Sequence, residues 1–402
     1  MRDIEALIPQ AGREDAAALR EFDADALARY VADRAHPWWR RRPCALALAG
    51  RVPEARVPTL LARVRDCGDV GEVRRALLDV LADRDELLPW LRHEDRRTEK
   101  SFGMPEAFLQ ARGRLGDRTA VRELATLAAD PWPRNQALGE AGLDALIDRF
   151  GLDAVLHDLG DARPEDRAFR VRMRARAGED VTDALADPDR LVAHLAQSLA
   201  DDADRLRLYL DEAPTTEAKL WAAYALYRLT EDAAETRAIH EALGRPRVEV
   251  PGLDEELRSA IVHAYAPGCR TQSDPRWRVE VLCTEPPPRV DVDEQLRRAT
   301  AALTAAGLAP RRPVSAGEHH HQGDGTYHVI AYGGGKELMV STLGRFATDH
   351  DCDPVARRAL ESAGFRWIDG ATGAIRVTDL CVYHFGDRAP LDVATLLFYW
   401  QD

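Results

Sequence analysis

ARGRLGDRTAVRELATLAAD runs from Ala111 to Asp130 and leads directly into PWPRNQALGEAGLDALIDRFG, Pro131 to Gly151. In the first half Leu115, Ala120, Val121, Leu124, Leu127 and Ala128 recur at helical spacing and form one narrow apolar stripe. The second half repeats the pattern with Ala137, Ala141, Leu143, Leu146 and Ile147. A lone pair of such helices cannot bury both stripes, so the stretch must stack on something else.

Self-similarity supplies the neighbour. ALAGRVPEARVPTLLARV (Ala47 to Val64) aligns with ARGRLGDRTAVRELATLA (Ala111 to Ala128) at an offset of 64, matching Ala47, Val57 and Leu60 to Ala111, Val121 and Leu124. A second helix follows each copy, GEVRRALLDVLAD from Gly71 and PRNQALGEAGLDAL from Pro133. An offset of 64 is two units of 32. A looser third copy spans Leu220 to Gly244. HPWWRRRP and DPWPRNQA also correspond, pairing Pro37, Trp38 and Arg40 with Pro131, Trp132 and Arg134. Proline sits well at a helix start, and the arginine then emerges on the first turn.

This pattern resembles HEAT repeats, especially the short bacterial type of the phycobilisome-lyase family. Leu115-Gly116-Asp117, Ala120-Val121 and Val73-Arg74-Arg75-Ala76 fit that family's turn, Ala-Val pair and Val-Arg-x-x-Ala helix. The resemblance covers residues 30 to 150 and thins over 150 to 265, where the Gly-Asp turn is missing. It implies an all-α HEAT-like solenoid, a curved stack with one row of helices along a concave face. A non-repetitive helical bundle is the alternative.

The chain has 402 residues, enough for two domains or one extended array. It is 45% hydrophobic and 31% charged with a formal charge of −13, which gives no general pull toward nucleic acid or an anionic membrane. Only Lys100, Lys219 and Lys336 are lysines among 55 basic residues, the mark of a GC-rich coding bias. No apolar run approaches the roughly 20 residues of a membrane helix, and MRDIEALIPQ lacks a signal-peptide core. Cys44, Cys67, Cys269, Cys283, Cys352 and Cys381 include no CxxC pair. Reduced thiols in the cytoplasm are therefore expected.

One local feature stands out. Between His36 and Leu77 nine arginines (40, 41, 42, 51, 56, 63, 65, 74 and 75) face only Glu54, Asp66, Asp69 and Glu72. Trp38 and Trp39 precede the densest part. Arginine and tryptophan are enriched at binding hot spots, and would equally serve a phosphate-tracking groove. A solvated face paired with acids of the next repeat is the plain alternative. The two x-Pro-Trp-x-Arg turns place Trp38, Arg41, Arg75, Trp132 and Arg134 as the candidate partner-binding set. HPWWRRRPCALAL also resembles a helix start in the HEAT-like bacterial alkylpurine DNA glycosylases, which would imply nucleic-acid binding, although the acidic charge opposes it.

The chain changes character near residue 270. Residues 1–268 read as helices, 269–277 as a linker rich in Pro, Gly, Ser and Asp, and 278–402 as an α+β domain. The expected order there is a strand at RVEVLC (Arg278 to Cys283), a helix over Val292 to Leu308, and a hairpin of Thr326–Tyr332 and Lys336–Leu343 across three glycines. A helix capped by Asp353 follows, then strands at FRWI and AIRVTDLCVYHF across DGATG, and a terminal helix. That is the β-α-β-β-α-β order of a ferredoxin-like motif.

Chemistry-bearing motifs are sparse. His319, His320, His321, Asp324 and His328 could approach a metal from a pliable loop, but no HxxxH helix, HExxH or CxxC accompanies them. Cys381, His384 and Asp387 are neighbours in sequence, yet Cys381 and His384 would point to opposite faces of one strand. No P-loop is present, because Lys336 opens a strand. No catalytic set, no metal site and no cofactor is expected. The reading is an adaptor that recognises a protein or peptide partner. The alternative is an enzyme or modification accessory acting at the C-terminal domain or at the Arg/Trp patch.

Overall fold

The computed structural model describes residues 3–93, 99–319, 325–382 and 390–399. The chain is mostly helical, with a small sheet region near the C-terminus. It divides into two compact units, Met1–Met173 and Arg174–Asp402.

Unit one contains α1 (Ile4–Leu7), α2 (Ala16–Glu21), α3 (Ala24–Ala32), α4 (Trp38–Leu46), α5 (Val57–Arg65) and α6 (Gly71–Val80). It continues with α7 (Leu88–His93), α8 (Met104–Arg114), α9 (Val121–Ala128), α10 (Pro133–Phe150), α11 (Leu152–Leu159) and α12 (Pro164–Arg176), whose last three residues fall past the division at Met173. The helices alternate in role. The second helix of each pair begins at Trp38, Gly71, Met104 and Pro133, a spacing near half of the 64-residue offset. These second helices pack in order, α4 on α6, α6 on α8 and α8 on α10. The apolar stripe of the opening stretch lies in a core where Val121, Leu124, Ala128, Leu143 and Leu146 are buried together with Val155 and Leu159.

Glycine sets the closest of these approaches. A Cβ on Gly113 of α8 would stand 2.5 Å from the Gly142 carbonyl oxygen of α10. One on Gly139 would stand 2.4 Å from the Ala128 amide nitrogen of α9. Both obstacles are backbone, so α10 can lie this close to α8 and α9 only with glycine at those positions.

Most of the arginine excess serves the stack. Arg41, the fourth residue of α4, donates from Nε to the Val31 carbonyl ten residues upstream at 2.8 Å. Its two Nη atoms meet both Asp69 carboxylate oxygens at 2.8 and 2.6 Å. Arg74, the fourth residue of α6, repeats the device with the Val64 carbonyl at 2.9 Å and Glu99 at 2.8 Å. Arg56 reaches Asp25, Arg51 reaches the Leu19 and Phe22 carbonyls, Arg40 reaches Ile8 and Glu5, Arg63 reaches Asp66, and Arg65 reaches the Glu86 carbonyl. Seven of the nine are thereby engaged within the unit.

The Leu115-Gly116-Asp117 turn has its own lock. Gly116 takes φ +80°, and a Cβ there would sit 2.6 Å from an Arg149 nitrogen. Asp117 is fully buried and accepts from Arg112 at 2.8 Å, Arg92 at 3.1 Å and the Thr119 hydroxyl at 2.7 Å. Burial pushes this carboxyl up, but the donors from Arg92, Thr119 and Arg112 outweigh it and hold its pKa at about 2. A depressed carboxylate stabilises the fold fully above its unfolded pKa of about 3.9, and the contribution is lost as pH falls toward the folded value. Unit one is therefore expected to lose about 2 kcal/mol from this one group between roughly pH 4 and 2. Acid titration of wild type against Asp117→Asn checks it: the variant should show a shallower acid slope, and identical slopes would contradict it.

Unit two begins with α13 (Arg190–Leu199), α14 (Ala203–Glu212), α15 (Thr216–Thr230), α16 (Ala233–Ala242), α17 (Glu255–Tyr265) and α18 (Pro275–Cys283). Then come α19 (Val292–Ala305), α20 (Ala316–His319), β1 (Tyr327–Tyr332), β2 (Lys336–Ser341), β3 (Phe346–Asp349), α21 (Pro354–Ser362) and β4 (Arg366–Trp367). The last elements are α22 (Gly370–Gly373), β5 (Arg376–Val377), β6 (Leu391–Asp392) and α23 (Val393–Leu397). The sheet order is β1-β2-β3-β4, antiparallel until the parallel β3–β4 pair, and β5 pairs only with β6.

Three expectations need correction here. RVEVLC is not a strand: it is most of α18, started by Asp274, whose side chain accepts from the Arg276 amide, with Pro275 at the first position. Residues 269–277 are not a free linker, because Ser273, Asp274 and Trp277 are fully buried in unit two. Ser273 Oγ donates to the Cys381 carbonyl at 3.0 Å, and Trp277 donates to the Thr378 carbonyl at 3.2 Å. The helical part expected over 1–268 is shared between the units, since Leu257, Ile261 and Tyr265 of α17 share a core with Phe346, Val377 and Leu396. The β-α-β-β-α-β order consequently fails at its first strand and in its sheet order. The β1–β2 hairpin and the Asp353-capped α21 are present as expected.

Candidate partner-binding face

The five candidate residues separate into two kinds. Arg41 is 2% exposed and wholly occupied by Val31 and Asp69, so it is a structural residue and not a contact for a partner. The reason is its place on the inner side of the first turn of α4, where only an intramolecular carboxylate can neutralise it. Trp38, Arg75, Trp132 and Arg134 lie on the row of second helices. Trp38 is the first residue of α4, and Trp132 is the N-cap of α10, 67% exposed. Arg134 follows on the first turn of α10, and half-buried Arg75 is on α6.

Side chains that local sequence reading passed over complete the face. Phe102 immediately precedes the α8 cap and is 82% exposed, and Val70 is the exposed cap of α6. Each of the four second helices thus begins beside an exposed apolar side chain: Trp38, Val70, Phe102 and Trp132. The Arg134 guanidinium lies over the Phe102 ring, 5.2 Å from its centroid. Gly103 makes the room. It caps α8 at φ +74°, and a Cβ there would fall 2.1 Å from an Arg134 nitrogen. Phe102 was findable by its place about one repeat before Trp132.

Behind this row lies a recess of about 220 Å³ walled by all four second helices, through Arg42 and Leu46 of α4, Glu72, Arg75 and Asp79 of α6, Gln110 of α8, and Arg134 and Leu138 of α10. Burial lowers the Arg75 pKa from its usual range, and the nearby cations Arg134 and Arg42 add to this against Glu72 and Asp79. Of the two acids in the lining, Glu72 pairs with Arg75 at 4.0 Å and Asp79 with Arg114 at 3.1 Å. Among the described residues no carboxylate lies within ion-pair distance of Arg42 or Arg134. The recess therefore carries uncompensated positive charge.

The other candidates lead nowhere comparable. His320, His321, Asp324, His384 and Asp387, and the side chain of His319, lie outside the described residues. His328 is buried and accepts from the Ala316 amide at 2.9 Å. Among the described residues no group of His, Cys, Asp and Glu is arranged to hold a metal ion, and no helix is long and apolar enough to cross a membrane. Comparisons with protein-family models, curated proteins and solved structures find no match.

Proposed function

We propose that the chain is a binding protein whose first unit is a HEAT-like helical array, gripping a protein or peptide partner on the face formed by α4, α6, α8 and α10. One observation carries this reading: each of the four helix starts presents an exposed apolar side chain, Trp38, Val70, Phe102 or Trp132, and the same four helices wall the recess with its cations. Scattered exposed apolar residues need no explanation, but a repeated row rimmed by charge marks an interaction site. Aromatic and arginine side chains dominate binding energy at such sites. A protein partner suits the charge balance, since residues 1–173 contain 29 basic and 31 acidic side chains and so present no broad basic field for nucleic acid.

The double variant Arg75→Glu/Arg134→Glu tests it. Partner affinity should weaken by about 2 kcal/mol or more, while the melting temperature stays within a few degrees because neither side chain has a buried partner. Full retention of partner binding by a folded double variant would refute the assignment.

A further inference from the structure

The face constrains the shape and charge of what it holds. Packed helices lie about 8–10 Å apart, and an extended chain advances about 3.3 Å per residue. A strand laid across the starts of α4, α6, α8 and α10 therefore meets a new helix start about every third residue. The groups waiting at those starts are Trp38, Val70, Phe102 and Trp132. Between and behind them stand Arg42, Arg75 and Arg134. A recess of about 220 Å³ accepts side chains and is too small to seat a helix about 10 Å across.

We propose that the occupant is an extended acidic segment of a partner protein, with an apolar side chain about every third residue and Asp or Glu between them. The proposal rests on the reading of this face as the docking surface and adds the chemistry of its ligand. The apolar groups would cover the four helix starts, and the carboxylates would meet Arg42 and Arg134, which have no described carboxylate within ion-pair distance, with Arg75 beside them. Arg134 is suited to this task. Its position across Phe102 and Gly103 leaves it pre-oriented, so less side-chain freedom is lost on binding.

Selection of displayed random dodecapeptides on the full-length chain tests the proposal. The wild type should enrich peptides rich in Asp and Glu with apolar residues three apart. Binding of the enriched peptides should fall at least tenfold in Arg42→Gln/Arg134→Gln and in Phe102→Ala/Trp132→Ala, with unchanged melting curves confirming that both variants fold. Neutral or basic peptides, or an apolar spacing of seven, would overturn the acidic extended ligand. If such peptides still required Phe102 and Trp132, the docking face itself would stand. Peptides held equally by wild type and both variants would overturn the face as well. Displacement of the selected peptides by an oligothymidylate, with a steep salt dependence, would assign the arginines to phosphate and overturn the proposal.

Discussion

Replacing Asp69 with alanine is expected to cost unit one about 3–5 kcal/mol, the range for removing one partner of a buried ion pair. The Arg41 and Asp69 side chains are 2% and 1% exposed, so the remaining guanidinium would be buried beside only the Val31 carbonyl. That is a large part of the 5–15 kcal/mol that holds a typical domain together. The measurement is the urea midpoint followed by far-ultraviolet circular dichroism. Arg41→Met/Asp69→Leu should recover most of the loss, because the desolvation penalty disappears with both charges. A change below about 1 kcal/mol in Asp69→Ala would show that water reaches Arg41 and that the pair is a surface contact.

The same device recurs in unit two, and the same size of effect is expected there. Arg258 is the fourth residue of α17, donates to the Val248 carbonyl ten residues upstream at 2.8 Å, and holds both Glu280 oxygens at 2.6 Å. It also lies over the buried Trp277 ring, 4.7 Å from the centroid. Glu280→Ala should destabilise unit two by about 3–5 kcal/mol. Arg247 approaches Glu280 at 3.4 Å from a more exposed position and cannot replace it. Glu280→Gln, which keeps the shape but loses the charge, should fall between wild type and alanine. Thermal unfolding of the three proteins checks the order, and equal transitions for wild type and Glu280→Ala would contradict it.

These arginines show where sequence reading succeeded and failed. The helical period was legible because apolar residues in α9 and α10 recur at helical spacing and Leu-Gly-Asp punctuates them. The Asp353 cap and the three-glycine hairpin were legible because each is settled within a few residues. The excess of arginine over acid was visible, but its use was not, since the acids that pair with Arg41 and Arg74 lie 28 and 25 residues downstream. A signal was present nonetheless. Val31 and Arg41, Val64 and Arg74, and Val248 and Arg258 share one Val-x9-Arg spacing, which Arg42 and Arg75 lack.

The α18 error has a similar cause. Arg-Val-Glu-Val alternates like a half-buried strand, yet Glu280 belongs inside because Arg258 neutralises it, and the Asp274-Pro275 start favours a helix. Composition likewise marked 269–277 as a linker, while the Cys381 carbonyl that anchors Ser273 is 108 residues away. Of the candidate face, the Trp-Pro turns exposed two of the four helix starts. Phe102 and Val70 share no local motif with them and are found only by their place about one repeat from the tryptophans and by their exposure.

Site-specific photocrosslinking in the native cell tests the central claim most directly. A benzophenone amino acid would replace Trp132 in one strain and Leu208 in another. Leu208 is 61% exposed and belongs to α14 of unit two, outside the four helices of the proposed face. The account predicts a discrete crosslinked protein adduct from position 132 that disappears when Arg75→Glu/Arg134→Glu is added, and no such adduct from position 208. An adduct of equal yield from both positions, or one at 132 that persists in the arginine variant, would contradict the claim that this row of helix starts is where the protein binds.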